Sequence, residues 1–313
     1  MLNNKIKKST RDAYGEELLR LGKKDKKIVV VSADLPESTR LQYFAKEFPS
    51  RFIECGVAEQ NALGVANGLA LAGKTAYMSS FAVFSPGRNW DQLRVSVCYS
   101  NTNVKIVSTH SGLAVGEDGA SHQGLEDIAI TRCLPNLIVI APVDYLETKR
   151  ALKAINKAKG PVYLRLARNK TPLIKNNANF KIGKANIIKR GKDITIIGCG
   201  PIINEIILAE QELKKQKISV EIINNHTIKP LDKKTILNSI KKTKKLITVE
   251  DHQIHGGMGS AVVEMVIQNY PIPTKIIGIK DTFGESGKPE QLYKKYNLNY
   301  KYIIKEVLKI LKK

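Results

Sequence analysis

Three short apolar runs, KIVVVSAD at 27–34, NVKIVSTH at 103–110 and NLIVIAP at 136–142, are nearly continuous in Val, Ile and Leu and give way to polar residues. Around them lie longer stretches with apolar residues three and four apart: DAYGEELLRLG, EQNALGVANGLALAG and YLETKRALKAINKA. The short runs predict strands buried on both faces, and the three-to-four spacing predicts helices with one buried stripe. Their alternation predicts a parallel sheet covered by helices on both sides. The pattern lapses at KNNANFKIGKANIIKRGKD, which is polar, lysine-rich and without sustained period, and then resumes. DITIIGCG, SVEIINNH and KLITVED predict further strands; INEIILAEQELKKQ, KTILNSIKKT and GSAVVEMVIQNY predict helices. The expected fold class is α/β, with two doubly wound, mostly parallel sheet domains at 1–172 and 191–313 and a linker at 173–190. No sequence repeat relates the two halves.

A chain of 313 residues with 42% apolar content can bury a core in each of two domains. No apolar run approaches the ~20 residues needed to span a bilayer, and MLNNKIKKSTRD has no apolar segment behind its basic residues. A cytoplasmic protein without membrane association is expected. Cys55, Cys98, Cys133 and Cys199 are scattered without a CxxC pair or a nearby His, which favours reduced thiols over a disulfide framework or a zinc site. The net charge of +22 raises the question of nucleic acid, but the charge is spread over both parts. Lysine-rich KKTKKL and LKILKK read as solvated surface. Ten of the eleven arginines lie in the first part, with only Arg190 beyond, so a site that reads phosphate bidentately is expected there and a nucleic-acid partner is not.

In doubly wound sheets ligands bind beyond the carboxyl ends of the strands. The polar residues to inspect are therefore Ser32 to Ser38, His110 to His122 and Asp144. GCGP after DITII lacks the third glycine and acidic residue of a dinucleotide loop and reads as a tight turn.

GVAEQNALGVANGLALAG, FAVF and THSGLAVGEDGASHQG, with SADLPES ahead and APVD behind, resemble the pyrimidine-binding domain of transketolase, a thiamine diphosphate enzyme. The second part resembles the C-terminal domain of the same family, whose role there is mainly dimer packing. The likeness covers nearly the whole chain and is most similar to the C-terminal subunit of a split transketolase.

By this resemblance Glu59 hydrogen-bonds a ring nitrogen of the cofactor's aminopyrimidine and so activates the thiazolium carbon. Its apolar sequence neighbours suggest surroundings that favour the protonated carboxyl; a plain acidic residue at a helix N-terminus is the other reading. Phe84 aligns with the aromatic that stacks on the pyrimidine, and Phe81 packs behind it or in the core. A tyrosine that many full-length members carry shortly after this pair is missing from SPGRN. The resemblance implies that His110 reaches a substrate phosphate, Asp118 a sugar hydroxyl, and His122 the reacting carbons. Arg11, Ser38 and Arg168 match the rest of a phosphate clamp, although Arg11 also reads as a helix-start charge and Arg168 as a strand-end cap. Asp34 matches an acidic residue on the thiazolium side or caps a helix. Glu59 and His122 are thus the catalytic candidates.

No GDG motif is present for Mg²⁺ and diphosphate; GEDG belongs to the sugar loop. The resemblance therefore implies thiamine diphosphate shared with a partner chain that binds Mg²⁺, no metal on this chain, and self-association with an N-terminal, diphosphate-binding subunit into a heterotetramer. It implies transfer of a two-carbon ketol unit between sugar phosphates, as in the pentose phosphate pathway. Half of a deoxyxylulose-phosphate synthase is the alternative, weakened because Thr109-His110 replaces its Asp-Arg. A 2-oxoacid dehydrogenase β subunit would have no use for a phosphate clamp, and a non-catalytic scaffold none for Glu59, Asp118 and His122. VEDHQIHGGMGSAVVE could form an anion-binding turn or a structural contact.

Overall fold

The computed structural model describes residues 2–174 and 179–312. The first part of the chain forms β1 (Leu2–Lys8), β2 (Ile28–Ser32), β3 (Phe52–Glu54), β4 (Thr75–Phe81), β5 (Val104–Thr109), β6 (Ile138–Ile140), β7 (Val162–Arg165) and β8 (Thr171–Ile174). The second forms β9 (Asn186–Lys189), β10 (Ile194–Gly198), β11 (Val220–Asn224), β12 (Thr227–Lys229), β13 (Leu246–Gln253) and β14 (Thr274–Ile279). Strands order as β12-β6-β7-β5-β4-β2-β3 in a seven-stranded sheet and as β14-β13-β10-β11-β9 in a five-stranded one; β1 and β8 pair alone. Every pairing between β2 and β7 in the larger sheet is parallel. β2, β4, β5 and β7 are buried at every position, as central strands of a sheet covered on both faces should be.

The register decides where chemistry gathers. Ser32 lies opposite Glu54 and Ser79, Phe81 opposite Thr109, and Ser108 opposite Arg165. The carboxyl ends of β2, β3, β4, β5 and β7 therefore share one edge, and the loops leaving them face common space. The helix Glu59–Leu71 follows β3 and buries Ala62, Leu63 and Ala66, in one cluster with Val31 and Met78. Burying a side chain such as Leu63 contributes roughly 1.5–3 kcal/mol.

The pattern reading named six of these strands and left others unnamed, β4 and β14 among them; β9 and β12 depart from it most. The stretch expected to be a linker contributes β9, antiparallel to β11 with Ile187 opposite Ile223; four residues, NIIK, among lysines are too few to show a period. Residues 175–178 of that stretch lie outside the described residues. β12, only Thr227–Lys229, crosses to the first sheet and pairs antiparallel with β6, Thr227 opposite Ile140. The two parts consequently share a core: Met78, Ile106 and Val139 are in one cluster with Ile197, Ile223 and Val262. No helix among the described residues is long and apolar enough to cross a membrane.

Candidate functional site

Glu59 opens its helix behind Ala58, which offers no side-chain cap. Its carboxylate is only 3% exposed. Arg88 Nη1 donates to Oε1 at 3.1 Å and Oε2 at 3.2 Å, and Ser80 Oγ donates to Oε1 at 3.4 Å. Asn89 Nδ2 fixes the residue's own carbonyl at 3.3 Å. The apolar surroundings expected for Glu59 are thus interrupted by a cation, because the turn after β4 brings Arg88 back over the helix start. Arg88 also lies over the Phe84 ring, its Cζ 4.1 Å from the centroid. This residue was missed in the sequence, where its position four after Phe84 was the available signal.

The aromatic pair is stacked, Phe81 to Phe84 at 5.8 Å between centroids. His122 stands edge-on to Phe84 at 5.5 Å and to Phe81 at 6.1 Å, while Phe81 packs on His110 at 3.8 Å. Phe81 is buried and Phe84 partly so. His110 Nε2 meets Arg11 Nη1 at 3.3 Å, and its Nδ1 meets Thr109 Oγ1 at 2.7 Å. Arg11 Nη1 also donates to the carbonyl of Ser38 at 3.0 Å. Arg168 Nη1 donates to Asp118 Oδ2 at 2.8 Å and to the Val115 carbonyl at 2.9 Å. Glu59, Arg88, Phe84, His122, Phe81, His110 and Arg11 therefore form a continuous chain of contacts, and Arg168, past the end of β7, pairs with Asp118 on the loop after β5.

Each of these arginines reaches across to another element, Arg11 to the Ser38 carbonyl and His110, Arg168 to the Val115 carbonyl and Asp118. Asp34 does not cap the helix Pro36–Thr39, whose N-cap is Leu35 without a side-chain bond. It sits exposed past β2, with its backbone N–H donating to Glu54 Oε1 at 2.7 Å; no described contact joins it to the chain from Glu59 to Arg11. Asp34 and His110 have φ of 59° and 58°, left-handed values unusual for side chains other than glycine. Such strain concentrates where a strand end must aim a side chain. The glycine-rich turn at 256–259 is no open anion site: Glu250 fills it, accepting from Met258 N at 2.6 Å and Gly259 N at 2.9 Å. Among the described residues, no group of three or more His, Cys, Asp or Glu is placed to hold a metal ion.

Burial pushes the His110 imidazole down to about 3, reinforced by Arg11, Arg168 and His122. Arg11 is itself lowered, first by burial and then by Arg40. His110 is thus a neutral hydrogen-bonding group throughout the physiological range. Between its unfolded value near 6.5 and about 3 the unfolded chain binds a proton that the folded chain does not. Stability is therefore lost as pH falls below about 6.5, by at most about 1.4 kcal/mol per unit for this residue. The variant His110→Asn should lack that loss. The gap in unfolding free energy between wild type and variant, from urea titrations at pH 7 and 5, should shift by about 1–2 kcal/mol in the variant's favour at the lower pH. An unchanged gap would show that burial does not hold this ring neutral.

A buried carboxylate beside an aromatic face, at the carboxyl edge of a parallel sheet and joined to an arginine-rich end, is the layout of a site for a flat heterocycle and an anionic substrate. Family models agree on what the chain is. Residues 6–173 match the transketolase pyrimidine binding domain and residues 183–303 the transketolase C-terminal domain. A putative transketolase C-terminal section of Methanocaldococcus jannaschii is 48% identical over 98% of each chain. A 6-deoxy-6-sulfo-D-fructose transketolase subunit of Clostridium sp. is 38% identical over 94% of this chain and 92% of that one. A solved structure described as a split gene transketolase, inactive beta4 tetramer, superposes with a TM-score of 0.88 at 39% identity, covering 97% of this chain and 98% of the other. The chain belongs to the transketolase family.

Proposed function

We propose that this chain is one subunit of a thiamine diphosphate-dependent transketolase, moving a two-carbon ketol unit from a ketose phosphate to an aldose phosphate together with a partner subunit. The carrying observation is the contact chain from Glu59 and Phe84 through His122 and His110 to Arg11. At one end the Arg88 guanidinium, flat and rich in N–H, is already stacked on Phe84 and bonded to Glu59. A planar donor-bearing ring such as the aminopyrimidine has the same requirements, so these residues fit the cofactor. Glu59 would hold a proton in a hydrogen bond with its ring nitrogen, and Phe84 would face the ring. Bound thiamine diphosphate supplies the nucleophilic carbon that takes up the two-carbon unit.

At the other end Arg11, His110 and Arg168 would hold the substrate's anionic terminus, with the Ser38 loop closing over it. Asp118 would orient a sugar hydroxyl, His122 would stand by the reacting carbons, and Asp34 would lie toward the thiazolium side. Mg²⁺ and the diphosphate would fall to the partner subunit, the pair of pairs forming a heterotetramer. Arginine forks accept phosphate and sulfonate alike, and the relative named for a sulfosugar makes sulfonated ketoses a fair comparison.

Arg11→Ala and Arg168→Ala should each lower kcat/KM for a ketose phosphate about ten- to a hundredfold in the assembled enzyme. Free sugars should lose far less, narrowing the gap between the two substrates. Steady-state rates on both substrate sets decide it. Equal losses would mean that these arginines support the fold, and no dependence on phosphate would favour a 2-oxoacid dehydrogenase role.

A further inference from the structure

The loop from Ser111 to Gly124 carries Asp118 and His122, yet much of what holds it comes from the second domain. Leu113 N donates to Asp251 Oδ1 at 2.9 Å and Ala114 N approaches Asp251 Oδ2 at 3.4 Å. Asp251 lies on β13 and is buried. Tyr293 Oη donates to the same Oδ2 at 2.9 Å. The approach is close enough that a Cβ at Gly112 would lie 2.2 Å from Asp251 Oδ2. Further along, Gln123 Nε2 donates to the Glu285 carbonyl at 3.0 Å, and a Cβ at Gly119 would lie 2.6 Å from Ser286 Oγ. Leu113 and Ala114 pack in the hydrophobic cluster of Ile196, Ile222, Val249 and Leu292, which is the core of the second domain.

A buried ion pair ties this anchor to the first sheet. Arg165, at the end of β7, donates through Nε to Asp127 Oδ2 at 2.8 Å and through Nη2 to the Asp251 carbonyl at 2.9 Å. Tyr163 Oη donates to the same Asp127 oxygen at 2.8 Å. Gln253 N closes the bridge on the Leu125 carbonyl at 2.9 Å. The two ends of the loop are therefore pinned to residues 251 and 253 of one strand.

We propose that Asp251, held by Tyr293, is a positioning residue for catalysis: the second domain sets the placement of Asp118 and His122 and hence the handling of the sugar. This rests on the site reading above. An interior hydrogen bond to a carboxylate is among the stronger ones, and a misplacement of about 1 Å in a reacting group can lower turnover a hundredfold. Glu59 and Phe84 sit on other elements, so cofactor capture should not depend on this anchor.

Asp251→Asn and Tyr293→Phe, made in the full chain and assembled with its partner, test the idea through two readouts. Amide hydrogen exchange should quicken tenfold or more at residues 113–123 and little elsewhere. The kcat/KM for ketose phosphate should fall tenfold or more with KM raised, while thiamine diphosphate affinity stays within about twofold of wild type. Tyr293→Phe keeps the ring and loses one hydrogen bond, so it reports even where Asp251→Asn folds poorly. Exchange that rises evenly over the chain, or unaltered loop exchange in Tyr293→Phe, overturns the proposal. The exchange measurement needs no activity, so a failure of the transketolase reading would show separately, as wild-type chains that do not act on sugar phosphates.

Discussion

Glu59→Gln is expected to slow hydrogen exchange at the reactive carbon of bound thiamine diphosphate by about 10²–10⁴-fold in the assembled enzyme, the range for a lost acid–base partner. The argument begins with shape. Glutamine fills the same volume, and the site is 3% exposed, so core packing around Ala62 and Leu63 is untouched. What changes is the carboxylate. It sits at a helix N-terminus, where the dipole and free N–H groups favour a negative charge, and it is already satisfied by a cation, Arg88, through both oxygens. Because Arg88 is half exposed, losing the pair should shift stability by only about 1 kcal/mol. The measurement is isotope exchange at the cofactor carbon beside a urea titration of the same protein. Exchange at the wild-type rate would remove Glu59 from its assigned place, and a lost fold would mean that the carboxylate is structural.

How much of this was legible in the sequence differs by element. β2, β5, β10 and β11 announced themselves because a strand buried on both faces must be apolar at successive positions. Glu59, Phe84, His110 and His122 could be singled out as candidates because they sit in short motifs in a fixed order, and the structure brings them to one edge of the sheet. β9 and β12 were not named, since strands of four and three residues carry no period; β4, TAYMSSF, was not named either, because its buried serines break the apolar run. Arg88 escaped for a related reason, since its meaning is a contact with a residue 29 positions away. Asp251 is the extreme case. Its partner Leu113 is 138 residues distant, and nothing local distinguishes a buried carboxylate that holds a loop from one that ends a strand.

The purified chain, supplied with thiamine diphosphate and Mg²⁺, is expected to show no ketol transfer, and activity should appear on mixing with a chain that carries the diphosphate-binding half. Glu59 opens on a cavity of about 560 Å³ lined by Val57, Ala58, Gln60, Asn61 and Arg88. Val57, just before the helix, is 70% exposed and Leu71, its last residue, 69%, and Gly64 and Gly68 face open space. A helix with small residues outward and apolar side chains at its ends lets another backbone approach closely, and covering each such side chain contributes roughly 1.5–3 kcal/mol. The partner would thereby enclose the half of the cofactor that this chain leaves open. Activity assays of each chain and of the mixture, beside sedimentation of Leu71→Asp with the partner, give the answer. Turnover by this chain alone would end the split-enzyme reading, and full assembly of Leu71→Asp would move the interface to another face.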